Sequence, residues 1–162
     1  MPKVTTAYVK NVIRRSFREI IDPPPDKDAV SKIWAFFNSM CAYCGTPLDR
    51  LKKEGHIDHL ISASQKGPNH LGNRVLSCAT CNEKEKLDLP WESFLQAKLK
   101  DESVFQNRKR KILEWLDKNK TIPQNAQVLK EIDALANDVA EYFESRVKKA
   151  KEITLASRKG VN

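Results

Sequence analysis

Four cysteines are the residues whose spacing points most directly to chemistry. They form two Cys-x-x-Cys pairs, Cys41 with Cys44 and Cys78 with Cys81. Paired thiolates at this spacing are typical of a closed tetrahedral zinc site, which has no open coordination position for a substrate. We therefore expect one structural Zn²⁺ on these four residues, with Gly45 making the tight turn after Cys44. Any reaction must use the residues between the two pairs.

The segment between the cysteine pairs carries residue types that suit phosphodiester hydrolysis. Asp58 and His59 are adjacent, Asn73 follows in the same segment, and Asn82 comes directly after the last cysteine. Such hydrolysis needs a base for the attacking water, a hard oxygen ligand for a divalent cation and donors to the phosphate. A histidine with its ordinary pKa of about 6.5 suits the role of base. Singly these residues favour structural explanations, but together they favour a site.

Three motifs in this segment resemble those of the HNH endonuclease family. They are Cys-x-x-Cys-Gly from Cys41, Ile-Asp-His-Leu from Ile57, and Asn-Arg-Val-Leu-x-Cys-x-x-Cys-Asn from Asn73. The resemblance covers Trp34 to about Leu89. It implies a ββα-metal fold in which a four-cysteine zinc site holds the strands and the helix together.

The resemblance also implies a role for each residue of the set. His59 resembles the general base, and Asn73 resembles the asparagine that hydrogen-bonds the backbone near that histidine. Asp58 and Asn82 resemble the ligands of a catalytic Mg²⁺ or Mn²⁺. The implied activity is hydrolysis of DNA to a 5′-phosphate and a 3′-hydroxyl, in restriction, phage or anti-phage defence.

Further side chains of the segment are candidate contacts to nucleic acid, namely His56, Arg74, Lys84 and Lys86. Many relatives with flanking cysteines carry a lysine three residues after the final asparagine, where this chain has Glu85. The phosphate contact of that lysine is then expected from Lys86 or is absent. A partly exposed strand histidine is an equally good interpretation of His56, and His70 is expected to be a solvated loop residue.

Helical patterns surround this segment on both sides. Before it, helices capped by Thr6 and Asp28 are separated by Asp22-Pro23-Pro24-Pro25, which must end the first helix. Inside it, alternation predicts strands over 56–61 and 73–77, and a helix is expected to begin within 78–86. After it, we expect helices capped by Asp88 and Ser103.

A long final helix is predicted to open with a capping box formed by Thr121 and Gln124. Its last stretch, 146–159, is basic and is expected to fray. The apolar face is broader than a two-stranded coiled-coil seam, which favours a helix facing the core over a dimerisation helix. The residues of this face are Val128, Leu129, Ile132, Leu135, Val139, Tyr142, Phe143 and Val147.

These patterns predict a predominantly helical α+β fold. A central ββα-metal HNH unit with a four-cysteine zinc site is flanked by N- and C-terminal helices. The expected segments are N-terminal helices over 1–38, the nuclease unit over 39–100, and a C-terminal helical region with a basic tail over 101–162. A chain of 162 residues has room for one domain with helical appendages.

The charge balance favours a polyanionic partner. There are 29 Lys and Arg against 21 Asp and Glu, a formal net charge of +8. The basic clusters outside the central segment are Arg14, Arg15 and Arg18, the run 108–111, and the tail. No signal peptide or membrane span is expected. We expect a cytoplasmic protein whose partner is nucleic acid, with DNA favoured over RNA, and no membrane association.

Two alternatives to an independent nuclease remain open at this stage. The first is a non-catalytic zinc-stabilised module that binds nucleic acid, which the same cysteine pairs and charge would serve. The second is the nuclease subunit of a larger defence complex, since most of the helices have no assigned task. A homodimer and a complex with a partner protein subunit are both compatible with the sequence.

Overall fold

The computed structural model describes residues 4–120 and 125–159 of the chain. It confirms a predominantly helical α+β fold with one small antiparallel sheet. In chain order the main elements are α1 (Thr6–Ile21), α2 (Lys27–Phe36), β1 (Gly55–His59), β2 (Arg74–Cys78), a π-helix (Thr80–Lys86), α3 (Trp91–Lys98), α4 (Glu102–Lys118) and α5 (Ala126–Lys159). Short 3₁₀ turns cover Ala63–Gln65 and Leu71–Asn73.

The chain divides into two compact units. One is Pro24–Ile122, and the other joins Met1–Pro23 to Pro123–Asn162. We call them the central unit and the two-helix unit. Their boundaries differ from the expected segments 1–38, 39–100 and 101–162, because α2 and α4 pack within the central unit while α1 pairs with α5.

Side-chain caps explain where several helices begin. The Thr5 hydroxyl accepts a hydrogen bond from the Tyr8 amide at 3.2 Å, and the Asp26 carboxylate accepts one from the Ala29 amide at 2.7 Å. Asp101 caps α4 in the same way. The predicted caps Thr6, Asp28 and Ser103 lie one or two positions later, inside the first turns. Asp88 caps no helix, since Pro90 precedes α3, and the predicted capping box at Thr121 and Gln124 lies outside the described residues.

The two strands form a hairpin with the cysteines at one end and the histidine at the other. Gly55 lies opposite Cys78, and His59 lies opposite Arg74. Four residues along a strand span about 13 Å. The zinc-type end is therefore well separated from His59, so the cysteines position the hairpin from a distance.

The core of the central unit surrounds the second strand. Val75 and Leu76 are fully buried among side chains from α2, α3 and α4. The indole Nε1 of Trp115 on α4 donates to the Arg74 carbonyl at 2.7 Å. This bond fixes the end of the hairpin that carries His59.

The two-helix unit consists of α1 and α5 running antiparallel. Lys10 pairs with Glu144 at 2.5 Å, and Arg18 pairs with Asp133 at 2.8 Å. The expected fraying of 146–159 is not observed, because α5 continues as helix to Lys159. The expectation of a core-facing helix is also only half right, since α1 covers one side of α5 and Val128, Leu135, Val139 and Tyr142 are exposed.

None of the helices in the described residues combines the length and the apolar character that crossing a membrane requires.

Candidate active site

The four cysteines converge into one cluster, as the sequence predicts. The Sγ atoms of Cys41, Cys44, Cys78 and Cys81 all lie within 4.8 Å of one another, and none of these residues is in a disulfide. The Cys44 and Cys78 sulfurs are 3.8 Å apart. A tetrahedron with Zn–S bonds of about 2.3 Å has edges of about 3.8 Å, so this cluster fits one zinc ion.

Crowding of the thiols perturbs their protonation. Hydrogen bonds from Cys41 and Cys81 lower the pKa of Cys44, whereas hydrogen bonding with Cys41 raises the pKa of Cys81. Burial raises the pKa of Cys78. Four thiolates in one cluster therefore require a cation among them. Gly45 closes the first knuckle with a φ of 79°, as expected for the tight turn.

Tyr43 links the cysteine cluster to Asp58. It lies between the first two cysteines, is fully buried, and its hydroxyl donates to Asp58 Oδ2 at 2.8 Å. Burial, and then the neighbouring carboxylate, raise the pKa of Tyr43, so the phenol stays protonated and remains a donor. The knuckle that would bind zinc therefore also holds the proposed cation ligand in place.

Lys86 forms an ion pair with the same carboxylate oxygen. It is fully buried, and its ammonium lies 3.3 Å from Asp58 Oδ2 and donates to the His59 carbonyl at 2.6 Å. No donor among the residues that the structure describes binds Asp58 Oδ1. One carboxylate oxygen is held by a hydrogen bond and an ion pair, and the other is left for another partner.

The π-helix explains why Lys86, and not the preceding residue, reaches the site. Glu85 occupies the position at which the family resemblance implies a lysine, but its carboxylate pairs with Lys98 of α3 at 2.5 Å. A π-helix has i→i+5 hydrogen bonds and a wider turn than an α-helix. The wider turn brings Lys86, the fourth residue after Asn82, to β1. It points Glu85, the third residue after Asn82, toward α3. Asn82 is half-buried near the start of this helix.

The π-helix lies across one face of β1. His56 and Asp58 share that face because successive strand residues alternate. His56 Nδ1 lies 3.4 Å from the Glu83 carboxylate, and Asp58 pairs with Lys86. Both side chains therefore contact the π-helix from β1.

His59 lies on the opposite face of β1 and is held at both ring nitrogens. Arg74 Nη1 is 3.0 Å from Nδ1, and Asn69 Oδ1 is 3.1 Å from Nε2. Because a guanidinium only donates, Nδ1 accepts and Nε2 carries the hydrogen. Burial, and then the Arg74 charge, lower the pKa of His59. The imidazole is thus kept neutral with its lone pair on Nδ1.

Asn73 shapes the loop that follows β1. Its Oδ1 accepts from the Ile61 amide at 2.9 Å, and its Nδ2 donates to the carbonyls of Ile61 and Pro68 at 2.9 and 2.8 Å. His70 contributes to the same loop, since its Nδ1 accepts from the Gly72 amide at 3.1 Å. It is half-buried, so the expectation of a solvated loop residue is wrong.

The candidate nucleic-acid contacts separate into different environments. Lys84 is exposed, whereas Lys86 is buried and held by Asp58 and His59, which removes it from the surface. Arg74 is buried beside His59. The basic clusters elsewhere are partly engaged, since Arg14 and Arg18 bond α5 and Lys109 pairs with Glu92.

Tyr43 and Asn69 are the site residues that sequence reasoning did not single out. Tyr43 is hidden between cysteines that had already been assigned to zinc, and Asn69 stands in a Gly-Pro-Asn stretch that indicates a turn. An aromatic residue with a polar tip inside a zinc knuckle is the one local signal that could have drawn attention to Tyr43.

Comparison with known families agrees with this geometry. No curated protein and no solved structure matches the chain. The family model described as HNH endonuclease matches residues 41–87, the stretch that runs from the first cysteine through the hairpin to the end of the π-helix. Residues 41–87, which we call the HNH segment, are therefore similar to the HNH endonuclease family, and the four cysteines of this stretch form one cluster.

Proposed function

We propose that the HNH segment hydrolyses phosphodiester bonds in DNA, with His59 as general base, and gives a 5′-phosphate and a 3′-hydroxyl. The observation that carries this proposal is the state of Asp58. Its Oδ2 is fixed by Tyr43 and Lys86, while Oδ1 receives no donor from the described residues. A buried carboxylate arranged in this way suits a ligand held ready for a cation.

The oxygen donors fit a hard divalent cation. Carboxylate and amide oxygens are the ligands that Mg²⁺ and Mn²⁺ prefer, and we assign Asp58 and Asn82 to hold the ion. When bound, the cation would stabilise negative charge on the scissile phosphate and on the leaving oxygen. Lys86 then sets the orientation of the carboxylate and pins the main chain at His59.

His59 would act as base through Nδ1. A lowered pKa keeps the imidazole neutral near pH 7, so that it can accept a proton from water. In the substrate-free arrangement Arg74 occupies this nitrogen at 3.0 Å. A phosphate is a stronger, bidentate partner for a guanidinium, so substrate binding would draw Arg74 away and free Nδ1.

Asn73 and Asn69 position the base in this scheme. Asn73 ties together the backbone at Ile61 and Pro68, which closes the loop against the end of β1. Asn69, on that loop, accepts the Nε2 hydrogen of His59 and so fixes the ring orientation. The positive net charge and the exposed Lys84 would add salt-dependent affinity for the DNA backbone.

The proposal is tested by incubating the zinc-loaded chain with plasmid, linear duplex, single-stranded DNA and RNA, with Mg²⁺, with Mn²⁺ and with neither. We expect DNA cleavage only with a divalent ion, and at least a hundredfold slower cleavage by His59→Ala. His56→Ala is the matched control, since this histidine lies on the same strand but pairs with Glu83. It should change the rate by a few fold at most.

A non-catalytic DNA-binding module is the second candidate. The observation that favours it is the ammonium of Lys86, which already neutralises Asp58. If the chain is such a module, it should bind DNA in a salt-sensitive manner, and Asp58→Asn should leave that binding unchanged. The wild-type chain should then cleave no substrate with any ion. That result, obtained also with co-expressed neighbouring gene products present, would contradict the nuclease proposal.

A further inference from the structure

Helix α5 carries a second apolar stripe that α1 does not cover. Residues buried or half-buried on the side near α1 are Leu129, Ala136, Ala140, Phe143 and Val147. The residues of the other stripe, which we call the outer stripe, are Val128, Leu135, Val139, Tyr142 and Ile153, and all are exposed. Their spacings of three, four, seven and eleven residues place them along one face of the helix.

The charges of α5 are divided between its two halves. Residues 126–145 contain five acidic residues and one lysine, whereas 146–159 contain six basic residues and one glutamate. Two such helices side by side and parallel would place like charges together. An antiparallel arrangement with its two-fold axis near Ala140 instead places residues 126–135, which contain Glu131 and Asp133, against residues 146–155 of the other helix, which contain four basic residues and one glutamate.

We propose that the outer stripe is the interface with a second copy of this chain, with the two α5 helices antiparallel. A two-fold axis between Ala140 and Glu141 would set Val139 opposite the other copy's Tyr142 and Val128 opposite its Ile153. Leu135 would lie opposite the other copy's Arg146, so the apolar pairs occupy the centre and the two ends of the stripe, which spans about 38 Å of helix. Such a contact is self-complementary, as a closed two-fold dimer requires.

The interior of the two-helix unit supports this assignment. Among its described residues only Ala136 and Ala140 are buried, and α1 buries no residue completely. Helices in proteins owe most of their stability to packing of an apolar face. Two copies joined at the outer stripe bring four helices together and cover both apolar sides of α5.

This interface does not depend on the nuclease proposal, and its test uses no cleavage assay. If the nuclease proposal also holds, a dimer would present two sites, one for each strand of a duplex. The oligomeric state of the full zinc-loaded chain should be measured by sedimentation equilibrium between about 1 and 100 μM. We expect a dimer for the wild-type chain and for His59→Ala alike.

The double variant Val139→Glu and Tyr142→Glu should weaken the dimer at least a hundredfold, because these positions face each other across the two-fold axis and the variant places four carboxylates there. Leu155→Glu is the matched control, since Leu155 is an exposed leucine on the opposite face of α5. It should leave the dimer unchanged. Circular dichroism at 222 nm checks that the helices remain, so that loss of the dimer is not loss of the fold.

A short bis-maleimide linker tests the orientation. Val139→Cys, close to the two-fold axis, should cross-link with itself, whereas Val128→Cys should not, because the two copies of that residue would be about 38 Å apart. The wild-type chain, treated with the same linker, measures the cross-linking that comes from the four native cysteines. A monomer at every concentration, a dimer unaffected by the double variant, or efficient cross-linking of Val128→Cys would overturn the proposal.

Discussion

The central unit and the two-helix unit differ most in where they keep their polar groups. All six buried polar or charged residues in the described part of the chain belong to the central unit, and the buried charged ones among them are Asp58, Arg74 and Lys86. The two-helix unit instead exposes apolar side chains and buries only alanines. Burying a polar group costs free energy unless it is bonded, and every fully buried side-chain nitrogen or oxygen in the described residues has a hydrogen-bond partner. The two-helix unit has a small interior and carries apolar side chains on its surface.

Removing zinc should give the largest difference in stability between the two units. Structural zinc sites contribute about 10–16 kcal/mol in apparent binding energy, and here the cluster holds only the central unit. We expect chelation to unfold that unit. All three tryptophans lie in it, so their fluorescence reports on it alone.

The helical signal gives the matching readout for the other unit. Helices α1 and α5 contain 16 and 34 residues, and much of the ellipticity at 222 nm should therefore survive chelation. A chelator saturated with zinc is the control. Unchanged tryptophan fluorescence after complete zinc loss would show that the cluster does not stabilise the central unit.

Replacing the buried lysine should have the next largest effect. Lys86→Met leaves the Asp58 carboxylate buried without its cation, which typically lowers the free energy of unfolding by about 3–5 kcal/mol. Lys84→Met, two residues earlier and exposed, should change it by less than about 0.5 kcal/mol. Urea titrations followed by tryptophan fluorescence measure both. Equal stabilities would mean that the ion pair contributes little to the fold.

Arg74→Gln should alter the pH dependence of cleavage. The arginine lowers the pKa of His59, so the neutral base persists below its ordinary range. Without that charge the pKa rises, and the acid limb of the pH–rate profile should move to higher pH. Loss of ring positioning should also slow cleavage by about 10–100-fold at the optimum. A slower variant with an unshifted acid limb would assign Arg74 to phosphate binding alone.

Breaking an ion pair in the two-helix unit should have the smallest effect. Arg18→Ala removes both hydrogen bonds to Asp133, but the two side chains remain partly exposed. Pairs of this kind contribute at most about 1 kcal/mol. The midpoint of thermal unfolding should fall by a few degrees, with tryptophan fluorescence unaffected. If Arg18→Ala lowered stability as much as Lys86→Met does, the two units would not differ in how strongly they depend on their ion pairs.

Much of the central unit could be predicted from local spacing. The cysteine pairs and the hairpin follow from residues close together in sequence, as does the end of α1 in the two-helix unit. The predicted helix caps lie one or two positions after the observed ones, because several neighbouring side chains can cap a helix and packing selects only one of them. The prediction that Asp88 caps a helix is wrong, since Pro90 precedes α3.

The sequence by itself determined the kind of site, because ligand type, the spacing of the cysteines and the order of Asp58 and His59 are properties of a short segment. Only the tertiary structure decided how these groups are held. It is the π-helix that selects Lys86 over Glu85, and Arg74 and Asn69 that set the tautomer of His59. Likewise α1 covers one side of α5 and leaves the outer stripe exposed. Each of these outcomes depends on contacts between residues far apart in the chain, which spacing along the sequence does not encode.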